Sequence, residues 1–385
     1  MVYPLAGIRV LDFSRVLAGP FAGRMLADLG ADVVKVEPPG GDTTRLWGAD
    51  IGGNPGYYHQ QNVNKRNVSI DLSLPRGGEL ARQLAAQADI VIENFRPGVA
   101  HRLGIGYAAL REVNPALIML SISGFGQEGP EAQRAAYAPV IHAESGLIAR
   151  QARWTHQRNF DFNISLSDSQ AALHGLVAVL AALHLRGQTG AGQHIDMAMI
   201  DATVATDDFL HFELEDSEAT RVRPSLVWET AETPRLIAAD FRHIWNLLSA
   251  AAHLADPAPT GSTVAEKANL RQAVIRDHLR GLTRAEAIRQ LDAVNLAWGD
   301  VREAATLATQ PTVRHRGMIQ QIDDRAGGLR PVVNSPYRFS EAESSIRRVA
   351  PWRGEHNTEV LHDWLGLDAS SVAAWAEVLS TDLPG

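Results

Sequence analysis

Ile8-Arg-Val-Leu-Asp-Phe13, Pro20-Phe-Ala-Gly-Arg-Met-Leu-Ala-Asp-Leu29 and Asp32-Val-Val-Lys-Val-Glu37 decide the fold. The first and last are short runs rich in β-branched residues. The middle run has proline in its first turn and is stopped by Gly30, as a helix is. Strand, helix and strand in 30 residues make a βαβ unit. The pattern continues outward. Asn67–Leu72 alternates like a strand, and Ser73-Leu-Pro75 opens a helix to Gln87. Asp89–Glu93 reads as a buried strand, Tyr107–Asn114 as a helix and Ala116–Ser123 as a strand. His194–Met199 is a further strand, and Ile200 to Leu214 reads as a helix. Strands alternating with helices predict an α/β protein with a parallel sheet, whose ligands bind at the loops after the strands.

Composition limits the function. The 385 residues carry a net charge of −8, which argues against a general nucleic-acid or acidic-membrane surface. Without cysteine there can be no disulfide, thiolate catalysis or iron–sulfur site. The first residues show no basic segment followed by an apolar one, and a cytoplasmic enzyme is expected. No uninterrupted apolar run reaches the ~18 residues of a membrane span. The nearest, within 164–186, is broken by Gln170, His174 and His184. The acidic stretch Glu213–Thr220 reads as a linker, and Ser225–Gln310 as a largely helical region. Arg330–Pro336 is extended, and terminal helices are expected over Asn357–Leu365 and Ala369–Leu379.

A second stretch carries the chemistry. Ile164-Ser-Leu-Ser-Asp168-Ser-Gln-Ala-Ala-Leu-His174 opens a helix that runs almost without charge to Arg186 and is closed by Gly187 and Gly190. A helix apolar on every side belongs inside a domain. Ser167 and Asp168 stand where an N-cap is expected, so Asp168 reads either as a cap or as a carboxylate at the positive end of a buried helix. Held there, it would remain ionised while partly dehydrated, as a carboxylate nucleophile must. Gly124-Phe-Gly-Gln-Glu-Gly129 matches a dinucleotide fingerprint, but Pro130 follows and no acid-ended strand lies about twenty residues on. Glu37 is placed like a ribose-binding acid, but the turn Leu17-Ala-Gly-Pro20 lacks the glycine spacing for a pyrophosphate. Arg15, Lys65, Arg66, Arg96 and Arg102 fall after or between strands, which favours an anionic ligand. The 14 histidines show no metal-ligand spacing, so no metal is expected. His142 and His174 read as core or partner-bound histidines.

The ordered motifs resemble the family III CoA-transferases, which include formyl-CoA transferase, carnitine CoA-transferase and α-methylacyl-CoA racemase. The resemblance is dense over residues 4–200. It rests on Leu5–Phe13, Ala18-Gly-Pro20, Leu29–Glu37, Asn64-Lys-Arg66, Glu93-Asn-Phe-Arg-Pro-Gly98, Arg102-Leu-Gly104, Ser123-Gly-Phe-Gly126, the Asp168 helix and Thr189–Asp196. It returns at Asn334–Ser340 and Gly354–Leu361. It implies that Asp168 is the nucleophile of an acyl-CoA:carboxylate CoA-transferase, passing through an aspartyl–acyl anhydride and an aspartyl-CoA thioester. It also implies that Leu17, Ala18, Pro38, Asn64, Lys65, Asn94, Phe95, Arg96 and Arg102 line the path of coenzyme A, with Tyr137 beside the thioester. The implied fold is a Rossmann-like large domain, residues 1–212 and 326–385, with a smaller inserted domain over 222–315. Two subunits would interlock as a homodimer. Racemase members carry histidine at the position of Tyr137. The formyl-CoA branch carries glutamine at the position of Leu17 and charged groups near Ala135 and Ala138, so a less polar acyl pocket is expected here. Residues 215–270 lack a glycine-rich flap. A 2-methylacyl-CoA racemase and a non-catalytic CoA-binding subunit are the alternatives.

Overall fold

The computed structural model describes residues 2–217 and 226–383. Six strands form one sheet: β1 Arg9–Asp12, β2 Asp32–Glu37, β3 Arg66–Ser69, β4 Ile90–Glu93, β5 Ile118–Ser123 and β6 His194–Ala198. Their order is β3-β2-β1-β4-β5-β6 and every pairing is parallel. The order reverses between β1 and β4, so the loops after these two strands part and leave a crevice.

Strand alternation sends side chains to two cores. On one face Val10, Val33, Ile90, Ile92, Leu120 and Ile122 meet the first helix, Ala18–Asp28, and the central helix, Leu166–Thr189. On the other, Leu11, Val34, Val68 and Val91 meet the helix Pro75–Ala86 and the C-terminal helix Asn357–Leu365. Both chain ends therefore build this unit, which comprises Met1–Asp208 and His315–Gly385. The chain rejoins it at His315, earlier than the expected 326. The cause is the hairpin Ile319–Asp323/Leu329–Val333, whose weak alternation hides it in the sequence. Val332 from this hairpin packs with Tyr58 and Val63.

Phe209–Arg314 forms the second unit. It is helical over Phe241–Ala251, Val264–Arg280 and Arg284–Ala293, the last two opened by capping boxes at Thr263 and Thr283. It also holds an antiparallel three-stranded sheet, Leu226–Trp228, Arg235–Ile237 and Trp298–Asp300. Strands of three residues are too short to show a period. Residues 218–220 of the expected linker lie outside the described residues. The helix expected over Ile200–Leu214 is two pieces, Met199–Thr206 and Leu210–Leu214, and the last helix stops at Ala373.

The central helix is less buried than its composition predicts. Ala171, Ala172, Gly175, Leu176, Val179 and Ala182 face the core, while Leu173, Val177, Leu180 and Leu185 are exposed, Val177 by 65%. At 24 residues and a mean hydropathy of 1.3 it is long and apolar enough to cross a membrane. Here it packs on β5, β6 and the first helix instead.

Beneath the turn after β1 lies a buried ionic network. Lys65 Nζ donates to Asp12 Oδ2 at 2.8 Å, and to the Pro20 carbonyl and Asn62 Oδ1. Lys35 Nζ donates to Asp42 Oδ2 at 3.0 Å and to the Ser14 carbonyl. Burial would raise the Asp12 carboxyl, but Lys65 and Lys35 outweigh it and hold it below the usual carboxylate range. Removing one partner of such a pair strands the other charge. Lys65→Met is expected to cost about 3–5 kcal/mol of unfolding free energy, read from urea denaturation. A cost under about 1 kcal/mol, the scale of an exposed pair, would show that the pair is not fully dehydrated.

Candidate active site

The turn after β1 is tightly tied. Asp12 Oδ1 accepts from the backbone N–H of Ser14 at 3.0 Å and from its hydroxyl. Asn94 Oδ1 takes the Arg15 N–H at 2.7 Å and its amide returns a bond to the Arg15 carbonyl. Asp42 Oδ2 takes the Val16 N–H at 3.2 Å. Val16 is held at φ +66°, a left-handed conformation that a β-branched residue rarely adopts. Such strain persists where the surroundings dictate it, commonly at functional sites. The glycines of Ala18-Gly-Pro-Phe-Ala-Gly23 serve close packing. A Cβ on Gly19 would lie 2.1 Å from Ser14 Cβ, and one on Gly23 would lie 2.7 Å from Asp12 Oδ2.

The result of this bracing is that the first helix begins at Ala18 with its N–H aimed at Asp168. The backbone N–H groups of Ala18, Ala138 and Asp168 itself lie near enough to the Asp168 carboxyl to favour its charged form. Ala138 is the first residue of another helix, Ala138–Glu144. Asp168 lies in the first turn of the central helix, whose N-cap is Ser165, without a side-chain capping bond. The carboxylate thus sits where three helices begin. The starts of two other helices join its own helix in favouring the charge of the group. Burial raises its pKa to about 6, and the N–H groups of Ala18 and Ala138 and the nearby His142 limit the rise. His142 is buried. Its Nε2 accepts the Ser167 N–H at 3.3 Å, so Nδ1 carries the proton that faces Asp161 Oδ1 at 2.7 Å. His174 reaches the Thr206 hydroxyl instead, at 3.0 Å.

Asp168 lines a cavity of about 620 Å³. Its walls include Arg15, Ala18, Asn94, Phe95, Arg96, Gly124, Arg134 and Tyr137. Arg15 lies over the Phe95 ring, 5.5 Å from its centroid. Glu93 holds the Phe95 N–H at 2.8 Å, and burial raises its own pKa to about 7. Arg134 is paired with Glu131 and Glu144, whereas Arg15 and Arg96 have no ion pair among the described residues. Two unpaired cations and a glycine-lined strand end suit an anionic ligand.

A second cavity, of about 420 Å³, lies near Asp168 without including it in its wall. Leu17, which precedes Ala18, lines it with Ala138, Ser169, Tyr57, Gln61 and Asp161. Burial and the charge of Asp168 push the Tyr57 hydroxyl up to about 12, so it remains a proton donor.

The structure therefore brings together Ala18, Asn94, Phe95, Arg96, Tyr137 and Asp168, with Leu17 facing the second cavity. It does not bring Asn64, Lys65, Arg66, Arg102 or Pro38 into either. Asn64 is spent on Asp28 and on the chain at Ser345, Arg347 and Arg348. Lys65 is buried against Asp12. Arg66 reaches back to Asp32, Glu359 and Asp363. Arg102 is exposed beside Gly98, and Pro38 leaves its place to Gly40 and Gly41. Glu37 is bonded to Arg45, Tyr58 and Asn67, which rules it out as a ribose ligand. Sequence reasoning missed Arg134, Tyr57, Gln61 and Asp161, because no periodic or motif signal marks residues that meet only through the fold.

The comparisons agree with this architecture. The CoA-transferase family III profile matches residues 5–357. Succinate–glutarate CoA-transferase of Agrobacterium fabrum is 34% identical over 93% of this chain and 95% of that protein. The succinyl-CoA–L-malate CoA-transferase beta subunit of Chloroflexus aurantiacus is 32% identical, over 94% of this chain and 95% of its own length. The crystal structure of a CAIB/BAIF family protein from Brucella suis superposes with a TM-score of 0.81 at 29% identity, covering 94% of this chain and 100% of that one. The chain belongs to CoA-transferase family III and is an enzyme of the CoA-transferase class.

The raised pKa of Asp168 has a consequence for stability. A carboxyl whose pKa is higher folded than unfolded favours folding fully below its unfolded value and loses that contribution as pH rises through about 6. Asp168→Asn is expected to melt above the wild type near pH 8 and to lose that margin near pH 4, by calorimetry. An unchanged margin at both would exclude dehydration of the carboxylate.

Proposed function

We propose that this protein is an acyl-CoA:carboxylate CoA-transferase that works through covalent intermediates on Asp168. The supporting observation is a carboxylate at the meeting of three helix starts, on the wall of a cation-bearing cavity. An Asp168 oxygen attacks the thioester carbonyl; the C–S bond breaks, leaving an aspartyl–acyl anhydride and CoA thiolate. The thiolate attacks the Asp168 carboxyl carbon, releasing the donor acid and forming an aspartyl-CoA thioester. The acceptor carboxylate then attacks that thioester, and the thiolate released attacks the acceptor's acyl carbon. Each C–S bond broken is re-formed, so no water or redox partner enters. The N–H groups of Ala18 and Ala138, which favour the charged form of Asp168, hold the oxyanion that forms when its carboxyl carbon is attacked. Arg15 and Arg96 serve the phosphates of coenzyme A, Asn94 and Phe95 shape the path, and Tyr137 borders the thioester.

Two observations weigh against the racemase alternative. Tyr137 stands where such members carry histidine, and both ring nitrogens of His142 are engaged, leaving it no free lone pair for an α-proton. A non-catalytic subunit has no need of a half-dehydrated carboxylate beside the cavity. We assign the protein to the cytoplasm, which cell fractionation tests. We also infer a homodimer, supported by the exposed apolar stripe Leu173, Val177, Leu180 and Leu185.

Hydroxylamine added during turnover is expected to convert Asp168 to its hydroxamate, seen by peptide mass spectrometry. Asp168→Ala should lose at least about a thousandfold in kcat, as removal of a covalent nucleophile does, and full activity would overturn the reading. For the wild type, kcat/KM should fall tenfold per unit as pH drops below about 6, where the carboxylate takes up its proton. An acid limb that persists unchanged in position when the carboxyl is replaced would assign the ionisation elsewhere. Val177→Asp should shift sedimentation from dimer to monomer; an unmoved boundary would place the interface elsewhere.

A further inference from the structure

We infer that Glu93 is a positioning residue for coenzyme A: its carboxyl fixes the loop Asn94-Phe95-Arg96, and that loop holds Arg15 ready for a phosphate. This rests on the reading of the Asp168 cavity as the coenzyme A site.

Glu93 ends β4 and is buried. A buried carboxyl is costly unless its polar atoms are used, and no step of the proposed chemistry uses this one. Its surroundings anchor it across the sheet. Ser121 pairs with Glu93 in the register of β5, and the Ser121 hydroxyl lies 2.9 Å from His194 Nε2 on β6. The His194 ring stacks on Tyr107, with centroids 5.0 Å apart. Asp196, on the same strand, takes the Gln127 N–H at 2.9 Å. Burial raises the Glu93 carboxyl to about 7; Ser121 and the Phe95 N–H limit the rise, and Asp196 adds to it. In either protonation state an oxygen remains to accept a hydrogen bond.

The bond it accepts comes from the Phe95 N–H, at 2.8 Å. A side chain that takes the N–H two residues on turns the backbone away from the strand. Two contacts to Arg15 follow from that turn. Asn94 Oδ1 accepts the Arg15 N–H at 2.7 Å, and the Asn94 amide donates to the Arg15 carbonyl at 2.8 Å. Phe95 sets its ring against the Arg15 guanidinium, 5.5 Å from the centroid. Backbone and head group of Arg15 are therefore both held by residues that Glu93 places. At the far end of the loop the Arg96 carbonyl takes the Val99 N–H at 3.0 Å. Arg15 is exposed, and a long exposed side chain loses rotamer freedom when it binds. Holding it in place beforehand removes part of that loss and tightens binding of an anion. Asn94, Phe95, Arg96 and Arg15 all line the cavity that contains Asp168.

The test measures the dissociation constant of coenzyme A by calorimetry, with the full-length protein and its variants. Glu93→Met keeps the length of the side chain and suits the buried setting, but removes the acceptor. It is expected to weaken binding about tenfold, the effect of one well-made hydrogen bond. Glu93→Gln keeps an acceptor oxygen and should stay within about threefold of the wild type. Arg15→Ala should also weaken binding about tenfold, and adding Glu93→Met to it should weaken binding by less than about twofold more, because Glu93 acts through Arg15. If Glu93→Met does not fold, Glu93→Asp, which shortens the reach to Phe95, replaces it in the cycle with the same outcome expected. Wild-type affinity in Glu93→Met or in Arg15→Ala, an equal loss in Glu93→Gln, or losses that multiply in the double variant would overturn the role of Glu93 while leaving the cavity to coenzyme A. A wild type that binds no coenzyme A would overturn the reading of the cavity, and the role of Glu93 with it.

Discussion

Charge compensation under the first turn of the sheet governs the rest of the molecule. Asp12, Lys65, Lys35 and Asp42 are buried together, and none is tolerable there unless the others are in place. Their pairing fixes Ser14 from one side and Val16 from another. With Asn94 holding Arg15, the backbone of three consecutive residues, Ser14 to Val16, is tied before the first helix begins. The lysine at position 65 therefore acts on the chemistry at a distance: it sets the frame from which Ala18 presents its N–H.

The same frame resolves an apparent conflict at Asp168. A reactive carboxylate has to be dehydrated to be nucleophilic, and dehydration drives it toward the neutral acid. Arginine or lysine contact would restore the charge but quench the reactivity by pairing. Backbone N–H groups at helix starts offer a milder answer, since they stabilise negative charge without neutralising it. Two helices from different parts of the chain are aimed at one side chain on a third, and the outcome is a group that ionises near pH 6. His142 takes part from behind. By tying Asp161 to the Ser167 N–H it fixes the entry of the central helix.

The sheet was legible because its strands are short, apolar and separated by helices with clear stops; Arg9–Asp12 and Asp32–Glu37 fall within the stretches that opened the reading. Asp168 was legible as a lone carboxylate at the head of an apolar helix, though its partners were not, since Ala18 and Ala138 act through backbone atoms. Lys65 and Asn64 show the limit of motif reasoning. Their residue types and family motif suggested a ligand path, but only packing reveals that each is used up internally. Gln61 and Tyr57 lie on a short helix, Gly56–Asn62, and no local pattern marks them as neighbours of residue 168.

The segment between Thr155 and Leu166 forms one wall of the second cavity, and most of it is exposed. Apart from Asp161, it contributes little to the tethering that holds the nucleophile. Drift along it can reshape this cavity while the surroundings of Asp168 stay folded. A lineage built on this scaffold can thus recut that hollow one surface residue at a time.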